Sequence, residues 1–296
     1  MTQINIQFTL FSAFYSPLIA TMAGGFLREE GLEPKWSVAA VGSSALTALE
    51  NGTAHVVQSA LSQGFTPLEK GETPTTTHFA QVNEMDGFFL TGRKPDPDFQ
   101  WKKLEGADVV LFGGGQPLAM FKYACHKAGI DFSKINAITP GGAAYIDKAF
   151  RDGQGAYVQQ QGPFPQQLEA DGVGHVVAKV GPVIGPCGFS SLAAMPEWLS
   201  TDMAAAFLRA YRKTRRYMIE TPASEIASAE KSFFPKIDEP VLAQCIGSYQ
   251  SLGCWTPHVE ITQQAYEATL DIYEYNGLIS KRHPYESVCT KPDIAL

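Results

Sequence analysis

The chain is predicted to be an α/β protein of two lobes, on three observations. Strand-length apolar runs alternate with helix-length runs through the first 180 residues. Two stretches dense in Gly and Pro, residues 92–98 and 181–188, interrupt that alternation. The 296 residues suffice for two cores. Strands that alternate with helices imply mostly parallel sheets covered on both faces.

The elements follow in order. Residues 4–10 alternate apolar and polar and read as a strand. Ser16-Pro17 supplies an N-cap and a first-turn proline, so a helix is expected through Leu18, Ile19, Met22, Phe26 and Leu27, stopped by Gly31. Residues 35–41 read as a second strand, 45–51 as a helix ended by Gly52, and 53–58 as a third strand. A helix over 59–68, a fourth strand over 75–82 and a fifth over 87–91 complete this part. The turn formers of 92–98 mark a crossing into a second lobe. There, strands are expected at 108–112, 135–139, 155–159 and 175–180, with helices at 118–128, 143–150 and up to 170 between them. Residues 181–188 form the return crossing. Helices over 201–221, with Ser200 as N-cap, 239–252 and 262–276 then pack on the first lobe. The expected division is lobe 1 at 1–91, an inserted lobe 2 at 92–182, and a return strand plus C-terminal helices of lobe 1 at 183–296.

Composition narrows the function. The formal net charge is −7 and 18% of residues are charged, which argues against a nucleic-acid partner. The one dense basic run, Arg212 to Arg216, reads as a solvated helix face. No run of apolar residues is long enough for a membrane span. The first strand leaves no room for a signal peptide, so a periplasmic location is expected if a leader was removed and a cytoplasmic one otherwise. The cysteines, 125, 187, 245, 254 and 289, are odd in number and lack zinc or redox spacing. That leans toward a reducing compartment and buried apolar thiols. The six histidines show no metal-ligand spacing, His78 reads as a core or surface residue, and no metal or cofactor is expected.

In parallel sheets, ligands bind beyond the carboxyl ends of the strands. That rule selects Phe11, Ser12, Phe14 and Tyr15 after the first strand, and Ser43 and Ser44, beside Gly42, after the second. It selects Gln58, Ser59 and Ser62 after the third, and Asn83 and Asp86 after the fourth. The second lobe adds Gly114, Gly115, Gln116, Gly142, Gln159 and Gln160, and the return crossing adds Cys187. Some of these open helices, where free N–H groups favour an anion or a carbonyl oxygen. Only Asp86 among them carries charge. A small, neutral or weakly anionic ligand follows, flat enough to stack on Phe14, Tyr15 or Phe112.

Several segments carry a resemblance, in order along the chain. They are Tyr-Ser-Pro-Leu at 15–18, Gly-Phe-Leu-Arg-Glu-Glu-Gly-Leu at 25–32 and Ala-Leu-Thr-Ala-Leu-Glu-Asn-Gly at 45–52. Next come Lys-Leu-Glu-Gly-Ala-Asp-Val at 103–109 and Ala-Gly-Ile-Asp at 128–131. Ala-Phe-Arg-Asp-Gly-Gln-Gly-Ala at 149–156 and Gly-Cys-Trp at 253–255 complete the set. With these the chain resembles the type II periplasmic-binding-protein fold. The group is that of sulfonate, nitrate and thiamine-precursor binders and thiamine-pyrimidine synthases. The resemblance implies a ligand held between two lobes that close on it, and delivery to an ABC permease. It also bears on the alternative, a cytoplasmic enzyme or small-molecule sensor on the same scaffold. The Lys and His of the pyrimidine synthases fall near Ser59 and Gln63 here, and their cysteine-rich run is reduced to Cys187. The first-loop cysteine of similar desulfinases has no counterpart in residues 12–16. Cys187 is the one thiol near the expected cleft, without a base close in sequence.

Overall fold

The computed structural model describes residues 1–40 and 43–291; Gly42 lies outside them. The strands are β1 (Thr2–Phe8), β2 (Leu32–Val38), β3 (Val56–Ser59), β4 (Thr77–Asn83), β5 (Phe88–Gly92), β6 (Asp108–Val110), β7 (Asn136–Ile138), β8 (Tyr157–Gln161), β9 (His175–Lys179) and β10 (Ser190–Ala194). They form two five-stranded sheets, ordered β2-β1-β3-β10-β4 and β7-β6-β8-β5-β9. In the first, β1 runs parallel to β2 and β3, and β10 is antiparallel to β3 and β4. In the second, β6 is parallel to β7 and β8, and β5 is antiparallel to β8 and β9. Each sheet thus takes in one antiparallel strand at the point where the chain enters it.

That arrangement moves the first crossing. The strand at 88–92 pairs in the second sheet, so the chain crosses at residues 84–87, ahead of the turn-rich stretch. Apolar patterning marks a buried strand but does not say which sheet buries it. The second crossing runs from Val180 to Phe189 and opens with a helical turn, Gly181–Ile184. The two crossings are bonded side by side. The Cys187 N–H donates to the Glu84 carbonyl at 2.9 Å and the Phe189 N–H to the Asn83 carbonyl at 3.2 Å.

The first helix is interrupted. Ser16–Ala23 and Phe26–Glu29 are separate because Gly25 adopts φ 81°, a left-handed conformation that glycine tolerates without Cβ strain. Tyr15, not Ser16, is the N-cap; the Ser16 hydroxyl instead donates to Glu230 at 2.7 Å. Glu230 ends a helix, Ala223–Glu230, that was not expected: Pro222 stops the helix before it and caps this one. Thr201 rather than Ser200 caps Asp202–Glu220, accepting from the Ala204 N–H.

Asp202–Glu220 packs on Ser16–Ala23. Glu239–Leu252 also touches Phe164–Ala170, and Gln263–Tyr275 touches Gly115–Lys127, so these two helices reach helices that flank the second sheet. The basic run is not wholly a solvated face. Arg215 is fully buried, donating from Nη1 to the Val82 carbonyl at 2.7 Å and from Nε to the Thr256 carbonyl at 2.7 Å. A buried guanidinium is tolerable when its N–H groups meet such acceptors. Here it pins the end of β4 beside the first crossing.

Candidate functional site

A cavity of about 210 Å³ opens where the carboxyl ends of the parallel strands of both sheets converge. After β1, the chain leaves the sheet through Thr9 and Leu10 and makes a tight helical turn, Ala13–Tyr15, that brings Tyr15 to the cavity wall. Gln58, Ser59 and Ala60 line it at the end of β3, and Ser62 and Gln63 at the start of helix Ser62–Glu69. From the second sheet come Phe88 at the start of β5, Gln161 at the end of β8, and Gln116 and Pro117 opening helix Gly115–Lys127. Phe189 and Ser190 enter at the start of β10, which is antiparallel and so begins at the end where its neighbours finish.

Hydrogen bonds hold these walls. Gln58 Oε1 accepts from the Thr9 N–H at 3.2 Å, and its Nε2 donates to the Ser190 hydroxyl at 2.8 Å. The Ser190 hydroxyl donates to the Ser59 carbonyl at 2.9 Å. Gln116 Nε2 donates to the Phe189 carbonyl at 2.7 Å, tying the helix of the second sheet to the strand entering the first. The Tyr15 phenol is buried beside the Gln161 amide, and burial raises its pKa, so it stays protonated at neutral pH. The Ser59 hydroxyl and Gln161 Oε1 are buried without a hydrogen-bond partner among the described residues. None of the lining residues carries a charge, and Tyr15, Phe88 and Phe189 supply aromatic surface.

Next to it lies a second hollow of about 20 Å³, lined by Phe11, Ser12, Phe112, Gln160, Gln161 and Gly162 among others. It has room for about one water molecule. Ser12 is committed within the protein: its hydroxyl donates to the Gly162 carbonyl at 2.6 Å and accepts from the Phe14 N–H at 3.1 Å. Phe11 stacks on Trp36, with ring centroids 4.8 Å apart.

The other residues selected from the sequence lie elsewhere. Phe14 is a core ring packed against Tyr15, Phe189 and Tyr249, so it offers no stacking face to a ligand in the cavity. Asn83 is buried, its Oδ1 accepting from the Trp255 indole at 2.8 Å. Asp86 is buried in the first crossing, and Cys187 in the second, where burial raises the thiol pKa and leaves it protonated. Gln159 is fully buried in the second sheet. Ser43, Ser44, Gly114 and Gly142 are exposed; Ser44 lies 3.3 Å from Gln63 Oε1 and so reaches the cavity rim indirectly. Gly115 borders an adjoining surface hollow with Gln116.

Sequence reasoning missed Thr9, Leu10, Ala60, Gln63, Phe88, Pro117, Gln161, Phe189 and Ser190. Gln161 escaped because β8 runs two residues further than the alternation suggested. Phe189 and Ser190 would have been found by treating the start of an antiparallel strand as a strand end of its parallel neighbours.

The comparisons agree with this architecture. A family model described as NMT1/THI5 like matches residues 13–225. A relative from Bacillus subtilis (strain 168), named "Putative binding protein YtlA", is 27% identical over 98% of this chain and 88% of its own. The structure is similar to the ligand-binding component of an ABC-type import system from Staphylococcus aureus, solved with zinc bound. That likeness has a TM-score of 0.77 at 15% identity over 98% of this chain and 97% of that one. It is also similar to the alkanesulfonate-binding protein SsuA from Xanthomonas axonopodis pv. citri bound to MOPS. There the TM-score is 0.73 at 15% identity, over 97% and 98% of the two chains. These likenesses show a periplasmic-binding-protein fold, and the chain belongs to the NMT1/THI5-like family.

Proposed function

We propose that this chain captures a small neutral or weakly anionic organic solute between its two lobes and delivers it to an ABC-type permease. The observation that carries the reading is the cavity between the sheets. Both sheets supply its walls, and no lining side chain is charged. A solute recognised by paired arginines has no partner there. Amides, hydroxyls and aromatic faces suit a flat molecule with polar edges. The starts of helices Ser62–Glu69 and Gly115–Lys127 border the cavity and would favour a carbonyl oxygen or weak anion. Relatives of the same fold include the ligand-binding component of an import system and an alkanesulfonate binder, which supports the transport role. No helix of the described residues is long and apolar enough to cross a membrane. Closure of the lobes about residues 84–87 and 180–189 would trap the solute.

Native mass spectrometry of the purified protein tests this directly. A small organic molecule should be retained, and Tyr15→Ala and Gln161→Ala should each release it while remaining folded. Retention by both variants, or stabilisation in a thermal-shift panel by strong anions alone, would overturn the reading.

A further inference from the structure

We propose that Asp86 is a proton-binding site coupled to lobe closure: its carboxyl takes a proton from bulk water as the lobes close and returns it as they part. The proposal rests on the closure described above. Asp86 sits in the first crossing, between β4 of one sheet and β5 of the other. The second crossing presses on it, since a side chain at Gly181 would overlap the Asp86 carbonyl oxygen. Any rotation of one sheet against the other passes through these residues.

The side chain is fully buried. Oδ1 accepts from the Phe88 N–H at 2.8 Å and Oδ2 has no partner among the described residues. No cation pairs with it among the described residues. The titratable groups facing it are the Tyr15 phenol from the loop after β1, the Cys187 thiol of the second crossing and Cys254 beyond helix Glu239–Leu252. Burial holds all three protonated. Glu84, two residues back, is engaged by His258 at 2.9 Å. Lys179, at the end of β9, acts on Cys254. Arg215 spends its N–H groups on Val82 and Thr256.

Desolvation raises the Asp86 pKa from 3.8 to about 7, only partly offset by the Phe88 N–H. A carboxyl wetted by lobe opening would return toward its ordinary value. Below that value both states are protonated and pH has no effect. Between it and about 7 the closed state is protonated and the open state ionised, so rising pH favours opening. Above about 7 both are ionised and the dependence ends. At its steepest the closed-to-open ratio falls about tenfold per pH unit.

Small-angle X-ray scattering of the whole, solute-free chain across pH 4.5 to 8.5 (roughly the window that brackets the titration) tests this. The wild type should expand as pH rises, and Asp86→Asn should stay compact throughout. Expansion of both alike overturns the role of Asp86 and leaves closure standing. Constancy of both overturns the proton coupling, while solute capture is judged separately by mass spectrometry. Should Asp86→Asn misfold, carbon-13 titration of the wild-type aspartate carboxyls gives the answer, and an Asp86 midpoint in the ordinary aspartate range overturns the proposal.

Discussion

The ring of Phe14 lies directly against the Cα of Gly87, where a Cβ would overlap three of its ring carbons. One residue belongs to the loop after β1 and the other to the crossing into β5. Glycine is needed here for closeness, not for a positive φ. Gly87→Ala should therefore destabilise the fold by about 1–3 kcal/mol through overpacking. A urea melt checks it: the midpoint should fall with little change in slope. A wild-type midpoint would mean that the Phe14 ring moves freely.

Glu230 presents a second buried contact near the loop after β1. Its Oε2 accepts from the Ser16 hydroxyl at 2.7 Å, Oε1 has no partner among the described residues, and burial raises its pKa well above the usual carboxylate range. Burial thus favours the uncharged acid over the carboxylate. Glu230→Gln keeps shape and neutrality and should cost under about 1.5 kcal/mol. Glu230→Ala leaves a cavity and an unpaired Ser16 hydroxyl, and should cost about 2–4 kcal/mol. Thermal unfolding of both variants should show that order; equal losses would show that charge, not shape, is what matters.

Much of the fold was legible because alternation and helical spacing are written in apolar residues, as in β1 and helix Glu239–Leu252. What was not legible depends on distant partners. Phe14 and Tyr15 are adjacent aromatics, and only the helical turn Ala13–Tyr15 sends one to the core and the other to the cavity. Asp86 and Cys187 read as cleft residues because one follows a strand end and the other lies in the return crossing, yet both are buried where the two crossings bond side by side. Arg215 looked like its solvated neighbours Lys213 and Arg216 until the carbonyls of Val82 and Thr256 were placed beside it. The uncharged character of the site was visible in composition at the strand ends; its outline was not, because Phe189 and Ser190 arrive on the return strand.

Acid should weaken the protein through His78. The ring is buried in β4, with Nδ1 2.8 Å from the Ser191 hydroxyl and Nε2 unpartnered among the described residues, and burial lowers its pKa from 6.5 to about 4. Above 6.5 the ring is neutral in folded and unfolded chains, so it contributes no pH dependence. As pH falls toward about 4 the unfolded chain gains a proton that the folded one refuses, and stability drops. The full loss is on the order of 3 kcal/mol. His78→Gln removes this step, so the difference in unfolding free energy between variant and wild type should change across that window and be flat above it. A flat difference throughout would show that the folded ring protonates at no cost.

If the lobes close as proposed, the Ser12–Gly162 contact should set how firmly the closed state is held. Ser12 belongs to the loop after β1 of the first sheet, and Gly162 follows β8 of the second. The 2.6 Å hydrogen bond between them crosses the proposed cleft, and the same hydroxyl accepts from the Phe14 N–H that leads to Tyr15. Removing it leaves the Gly162 carbonyl without that donor in a buried setting, at a cost of about 1–3 kcal/mol to the closed arrangement. An open arrangement would wet the carbonyl and lose little. Ser12→Ala should therefore speed solute release about fivefold or more, while its effect on global unfolding stays smaller. Ser12→Thr, which keeps the hydroxyl, should restore slow release. If release is unchanged in Ser12→Ala while the melting temperature falls, the bond supports the fold alone and takes no part in closure.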